Sequence, residues 1–221
     1  LCGADSERRF SPFCWRTRLA LAHKGLDVET VPWKFTDREA IESIGAQKVP
    51  TILDGDRMVT DSWAIAEYLE ETYPDRPTLF PNGKGEVSCI RWWSEAVMTG
   101  GVAGLVLKDI YDHLDPADQA YFRESREKRF GRTLEEVQAG RDKGVKAFRQ
   151  SLMPLRLTLQ HQDWVAGSTP GFADHMCAGP FLWARAISPF RLLDADDSLN
   201  DWLNRILDAY DGVARSAPGY D

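Results

Sequence analysis

A break near residue 80 constrains the fold of this chain more than any other feature. The segment 73–85, YPDRPTLFPNGKG, contains three prolines and two glycines. Proline removes a backbone donor and glycine weakens regular structure, so neither a helix nor a strand continues through it. Helical and strand patterns alternate before this break, and only helical patterns follow it. We therefore predict an α/β domain over residues 1–80 and an all-helical domain over residues 81–221.

The first domain is expected to contain helices and short strands in alternation. A helix is predicted over 12–24 and ends at Gly25, which suits a helix C-terminus. The alternating segment 27–33, DVETVPW, predicts a short strand. In 51–61, Asp-Gly predicts a hairpin turn between two strands. A last helix is predicted over 62–73, from its apolar stripe.

The second domain is expected to consist of helices alone. A long helical pattern covers 87–113. The next helix begins at Asp115 with proline following it, and another runs from Thr133 to Gly140. Three more helices are predicted, over 144–161, 171–186 and 198–210.

Charge and cysteine content exclude several classes of protein. The chain has 27 Lys and Arg against 34 Asp and Glu, a net charge of −7, which argues against a nucleic-acid partner. No apolar run reaches the ~18 residues of a membrane span, and the opening LCGADSERRF lacks the apolar core of a signal peptide. The first residue is Leu, so we expect a few native residues before it. The chain has four cysteines and no C-x-x-C pair: Cys2, Cys14, Cys89 and Cys177. We therefore expect free thiols in a reducing, cytoplasmic location, and no metal.

Ser11 begins the first predicted helix and has two interpretations. Serine followed by Pro12 is an ordinary N-cap with proline at the first helical position. The same geometry favours an anion, and a thiolate held there has a lowered pKa. The segment Ser11-Pro12-Phe13-Cys14 has redox C-x-x-C spacing with serine in the first position. It therefore cannot form the disulfide, although Ser11 could hold a ligand's thiolate; Cys14 is interpreted as a buried apolar residue.

Three further segments could bind a peptide-like anion. Pro50 is either a plain strand start or the second residue of a cis bond, which would turn the backbone groups of Val49 towards a ligand. Asp61 and Ser62 cap the last helix of the domain, and its free N–H groups suit a carboxylate. A second carboxylate of the ligand could pair with a nearby basic side chain, and the candidates are Lys34, Arg38 and Lys48. Any single one of these side chains is more often simply solvated.

The order of these segments resembles the thioredoxin-like domain of the glutathione transferases. SPFCWRTRLALAHKG, KVPTILDGDRMVTDSWAIAEYLEETYPDRPTLFP and the helical half all resemble that family, over nearly the whole chain. STPGFADHM resembles the family's folding motif, with Gly171 in place of the usual Ser or Thr, and Asp174 there is interpreted as structural. SREKRFGRTLEEVQAGR is similar to the bacterial lignin β-etherase branch and its fungal relatives. The first segment also resembles the zeta isomerase branch, but Ser-Pro-Phe replaces the usual Ser-Ser-Cys.

The resemblance implies a role for each candidate residue. Ser11 would stabilise the glutathione thiolate, and Val49, before Pro50, would bind the cysteinyl backbone. Asp61 and Ser62 would hold the γ-glutamyl end. Lys48, with Lys34 as a weaker candidate, would contact the glycyl carboxylate.

An electrophilic acceptor would occupy the cleft between the domains. Seven aromatic residues are candidates for the wall of this cleft: Phe10, Phe13, Trp92, Trp93, Tyr111, Tyr121 and Phe130. For each of them, packing in the core is the alternative interpretation. We expect a homodimeric glutathione transferase that acts on apolar or aromatic electrophiles, with β-aryl ether cleavage as one reaction. The alternatives are a non-catalytic protein that binds glutathione and a hydrophobic ligand, a zeta-like isomerase and a reductase. Ser11 in place of cysteine speaks against the reductase.

Overall fold

The computed structural model describes residues 1–220, and its architecture follows the predicted fold class. The first part contains α1 (Pro12–His23), α2 (Arg38–Glu42), the strands β1 (Thr51–Asp54) and β2 (Arg57–Thr60), and α3 (Ser62–Thr72). The second part is helical: α4 (Lys84–Trp93), a π-helix (Ser94–Thr99), α5 (Gly100–Asp112), α6 (Pro116–Phe130), α7 (Leu134–Ala139), α8 (Arg141–Ser151), α9 (Met153–Leu159), α10 (Phe172–Ile187) and α11 (Leu199–Gly212). None of the helices in this described part is long and apolar enough to cross a membrane.

The predicted hairpin is confirmed. β1 and β2 pair antiparallel, with Thr51 opposite Thr60 and Asp54 opposite Arg57. Gly55 has φ +58°, a value that glycine adopts without steric cost. The turn chemistry therefore determines this element locally.

The predicted strand over 27–33 is wrong. Between residues 1 and 220 the sheet has only the strands β1 and β2. Val28 and Val31 are 45% and 72% exposed, so their alternation buries no face, and Pro32 has no N–H to donate to a ladder. The segment contacts the N-terminus at the Trp33 carbonyl, which accepts from the Cys2 N–H at 2.8 Å and from the Cys2 thiol at 3.4 Å.

Two predicted helices differ from the observed ones. The helix expected over 87–113 begins earlier, inside the predicted linker, and contains the six-residue π-helix between α4 and α5. The helix expected over 144–161 is broken at Leu152 into α8 and α9. Pro154 explains that break, because proline supplies no N–H to the preceding turn.

The two parts of the chain pack closely through α1 and α10. A Cβ on Gly179 of α10 would lie 2.7 Å from the Pro12 carbonyl oxygen of α1, so only glycine allows this approach. Arg16 of α1 is fully buried. Its guanidinium lies 3.0 Å from Glu95 Oε1 and 3.2 Å from Ser94 Oγ. A buried charge is tolerated when it is paired in this way.

Asp174 is buried and organises the start of α10. Its carboxylate accepts hydrogen bonds from the backbone N–H groups of Val165 (2.7 Å), Ala166 (3.1 Å) and Gly171 (3.1 Å), and from Trp202 Nε1 (3.0 Å). Burial raises the pKa of this carboxyl, while the four donors oppose that shift. The contacts are those of a structural residue.

Candidate active site

Ser11 is the N-cap of α1, as predicted. Its Oγ accepts a hydrogen bond from the Cys14 N–H at 3.3 Å. Because Pro12 lacks an N–H, Phe13 contributes the remaining donor of the first turn, and that turn contains no acidic residue. Within residues 1–220 the Ser11 hydroxyl accepts the bond from the Cys14 N–H and donates none. The hydroxyl can therefore donate to an anion placed at this helix end.

Ser11 shares a cavity with the segment before β1. The cavity has a volume of about 140 Å³, and Cys14, Val49 and Pro50 also line it. The Val49–Pro50 peptide bond is cis. The rest of the wall is largely apolar, with Trp15, Leu21, Val28 and Val31. The structure thus brings the first two predicted site segments together.

Asp61 connects the start of α3 to the same region. Its N–H donates to the Pro50 carbonyl at 3.1 Å, and its Oδ1 accepts from the N–H groups of Trp63 (3.0 Å) and Ala64 (3.2 Å). Asp61 has φ +88°, which is uncommon outside glycine and is concentrated at functional sites. Ser62 follows it as the first residue of α3 and is buried.

Arg91 lies beside Asp61 and pairs with Glu95, and sequence reasoning missed both. Arg91 NH2 lies 3.8 Å from Asp61 Oδ1, and Arg91 Nε lies 3.3 Å from Glu95 Oε1. The guanidinium stacks over the rings of Trp63 (5.2 Å) and Trp92 (4.6 Å). The spacing of Arg91 and Glu95, four residues apart on one helix, is a signal for an ion pair. It gives no information on the contact with Asp61.

The two candidate lysines differ in their surroundings. Lys34 Nζ lies 2.8 Å from Asp115 Oδ2, and this hydrogen bond raises the pKa of Lys34. Lys48 is exposed, precedes Val49 directly and has no carboxylate within 4.0 Å in the described chain. Of the two, Lys48 is available to a ligand.

The candidate acceptor residues have different packing partners. Phe10 is buried at 2% exposure and packs on Phe35, with ring centroids 6.2 Å apart. Phe35 also contacts Tyr121 at 6.1 Å, and Tyr121 is 43% exposed. Phe10 and Tyr121 are therefore joined by Phe35, a residue that the sequence analysis did not select.

The other aromatic candidates lie elsewhere. Arg16 stacks on Phe13 at 4.6 Å. Trp92 is 58% exposed and belongs to the surroundings of Arg91, and Trp93 packs on the core. Arg123 covers Tyr111 at 4.5 Å, and Phe130 lies at the end of α6.

Comparisons with known proteins agree with this architecture. Residues 6–77 match the family model "Glutathione S-transferase, N-terminal domain", and residues 88–210 match "Glutathione S-transferase, C-terminal domain". Glutathione S-transferase U2 of Arabidopsis thaliana is 26% identical over 211 residues, 89% of this chain and 80% of the relative. Zeta-class relatives match only about 70 residues, 29% of this chain.

Solved structures show the same fold. Glutathione transferase GSTFuA3 from Phanerochaete chrysosporium has a TM-score of 0.77 at 27% identity, over 96% of this chain and 90% of its own. A glutathione S-transferase of Ceriporiopsis subvermispora, solved in complex with glutathione, has a TM-score of 0.81 at 22% identity, over 95% and 93% of the two chains.

The fold is therefore a thioredoxin-like domain with a small sheet, followed by an all-helical domain. The chain belongs to the glutathione S-transferase family.

Proposed function

We propose that the protein is a serine-type glutathione transferase, in which residues 1–80 bind glutathione and residues 81–221 line the acceptor site. The observation that carries this is the Ser11 hydroxyl, whose hydrogen is free at the N-terminus of α1. A thiolate beside it would receive the hydroxyl hydrogen bond and the favourable field of the helix. Both lower the pKa of the bound thiol, and the thiolate is the nucleophile.

The rest of glutathione extends from Ser11 along Val49 to Asp61. The backbone of Val49, before Pro50, pairs with the cysteinyl unit. The γ-glutamyl end, which carries an ammonium and a carboxylate, lies at Asp61 and Ser62. Lys48 contacts the glycyl carboxylate, because Lys34 is occupied by Asp115. The glutathione complex of the Ceriporiopsis relative supports this co-substrate.

The acceptor is an apolar or aromatic electrophile. The thiolate attacks its carbon, the carbon–sulfur bond forms, and the leaving group departs with the bonding electrons. In β-aryl ether cleavage that group is an aryloxide, and the resemblance of SREKRFGRTLEEVQAGR to the etherase branch supports this reaction. The family resemblance also supports a homodimer and a cytoplasmic location.

Ser11→Ala tests the proposal, with Ser151→Ala in α8 as the control. We expect Ser11→Ala to lower kcat with an aryl-halide acceptor by about 100-fold, as for the loss of one preorganised donor, while the glutathione Kd changes less than about threefold. Ultraviolet titration of bound glutathione should show thiolate at pH 7 in the parent and a raised thiol pKa in the variant. Unchanged turnover would assign activation to the backbone N–H groups, and a protonated thiol in the parent would favour a non-catalytic binding protein.

A further inference from the structure

A buried carboxylate fixes the loop after Trp33 against α6. Asp118 accepts hydrogen bonds from the Phe35 N–H (2.9 Å), the Thr36 N–H (2.8 Å) and Thr36 Oγ1 (2.7 Å), and it is completely buried. Phe35 therefore has a defined position, with its ring 5.5 Å from Phe122 of α6.

Arg126 lies over this aromatic pair, and in the part of the chain that the structure describes it has no counter-ion. Its guanidinium carbon is 4.9 Å from the Phe122 ring and 5.6 Å from the Phe35 ring. It donates one hydrogen bond, from NH1 to Ser125 Oγ at 2.8 Å. In residues 1–220 no carboxylate oxygen lies within 4.0 Å of it.

The neighbouring Arg123 shows how an arginine on this helix is neutralised. It bonds to Glu127 at 2.7 Å and to Glu135 at 2.8 and 3.0 Å. Arg126 is half-buried, and burial lowers its pKa while Arg129 nearby adds like charge. Stacking on the two rings compensates for part of the hydration that the Arg126 guanidinium loses on burial. The planar guanidinium still has N–H donors whose geometry matches a carboxylate.

A row of aromatic rings begins at Phe10, and Arg126 lies over its second member, Phe35. Phe10 precedes Ser11 directly, and the row continues through Phe35 to the exposed ring of Tyr121. An aromatic ligand lying on the outer part of this row would present a ring substituent to Arg126.

We propose that Arg126 is a specificity-determining residue that binds the carboxylate of an aromatic acid used as the electrophilic acceptor. This rests on the proposed transferase function and names its substrate class. The acceptor ring lies against Phe35 and Tyr121, and its carboxylate forms a charge-assisted pair with the guanidinium. Arg126 does not take part in the bond-making step.

The test compares two acceptors that differ in one substituent, the charged carboxylate of chlorodinitrobenzoate and the neutral amide of chlorodinitrobenzamide. In both, the glutathione thiolate attacks the chlorine-bearing carbon and chloride leaves. We expect Arg126→Gln to lower the benzoate-to-benzamide ratio of kcat/KM by about tenfold, the effect of one lost charge-assisted pair, and Arg126→Lys to restore part of it. Arg129→Gln, which removes the same charge one turn further along α6, should leave the ratio within about twofold.

A binding arm separates this proposal from the transferase function. Calorimetry measures the Kd of the two preformed S-aryl glutathione conjugates in the parent and the Arg126 variants. If the protein shows no turnover but still prefers the carboxylate conjugate, and this preference depends on Arg126, the proposed transferase function is wrong and the proposed carboxylate site is correct. The proposal would be overturned if the Arg126 variants lost affinity equally for both conjugates, or if Arg126→Gln left the benzoate-to-benzamide ratio of kcat/KM unchanged.

Discussion

Nε2 of the fully buried His175 lies 2.8 Å from the hydroxyl oxygen of Tyr210. The same oxygen lies 2.9 Å from His23 Nδ1, and His23 Nε2 lies 3.0 Å from the Thr78 carbonyl oxygen. A carbonyl only accepts, so His23 Nε2 carries the hydrogen and His23 Nδ1 accepts from Tyr210. Tyr210 in turn accepts from the His175 Nε2–H. Burial favours the neutral form of both imidazoles, and in that form each carries its hydrogen on Nε2.

The first prediction concerns stability against pH. Burial lowers the pKa of His23 and lowers that of His175 well below 6.5. As the pH falls below about 6.5, the unfolded chain takes up protons that the folded chain does not, so the free energy of unfolding decreases. Each histidine contributes up to about 1.4 kcal/mol per pH unit.

His175→Gln checks this assignment, because its amide keeps a donor near Tyr210 and does not titrate. Urea unfolding at several pH values between about 5 and 7 should show a shallower decrease than in the parent. The control His161→Gln changes an exposed histidine outside the cluster and should retain the parent slope. A slope that His175→Gln leaves intact would contradict the assignment.

The second prediction concerns Gly171, where the family usually has Ser or Thr. Serine is a better N-cap by a few tenths of a kcal/mol in general. Here its Cβ would lie 2.7 Å from Ala166 Cβ and 3.2 Å from the Leu79 carbonyl oxygen. We therefore expect Gly171→Ser to destabilise the protein by about 1–3 kcal/mol, the range for overpacking, in thermal unfolding. A raised Tm would show that the cap outweighs the clash.

The third prediction concerns Gly179, which lies against Pro12 beside Ser11. The atom that a Cβ would meet is a backbone oxygen, which cannot move without the first turn of α1. Gly179→Ala should lower both Tm and kcat/KM. In Gly104→Ala of α5, no atom of residues 1–220 lies within 4 Å of the new Cβ, so helix propensity alone should stabilise the variant by up to about 1 kcal/mol. Equal behaviour of the two variants would refute the contact argument.

The fourth prediction concerns Asp118. Asp118→Ala leaves the N–H groups of Phe35 and Thr36 without their acceptor and releases the loop from α6. We expect a loss of about 2–4 kcal/mol in stability, from two unsatisfied donors, and a higher KM for aromatic acceptors. Steady-state kinetics at a temperature well below the variant's Tm separates the second effect from the first. An unchanged acceptor KM would place the loop outside the acceptor site.

Local signals predicted helix starts and the hairpin well. Ser11, Asp61 and Thr133 cap their helices as expected, because a capping bond spans only two or three residues. Asp54-Gly55 forms its turn for the same reason. The strand over 27–33 failed because a strand needs partners from distant parts of the chain, and alternation alone does not supply them.

The candidate site shows the same limit. Ser11 and Asp61 could be selected because both begin helices, whereas Arg91 and Phe35 acquire their roles only through tertiary contacts. The spacing of Arg91 and Glu95 suits an ion pair, but nothing in the sequence points to Trp63 or Asp61 as neighbours of Arg91. For Lys34 the sequence offered a free cation, and the fold pairs it with Asp115.

The packing of Pro12 on Gly179 and of Arg16 on Glu95 also has a consequence for folding. Helix α1, which Ser11 caps, is buried against α10, a helix more than 150 residues later. Residues 1–80 made as a fragment would expose that face and leave the Arg16 cation without its carboxylate. The two halves should therefore melt in one calorimetric transition, and α1 should exchange its amide hydrogens as slowly as the core of the helical half.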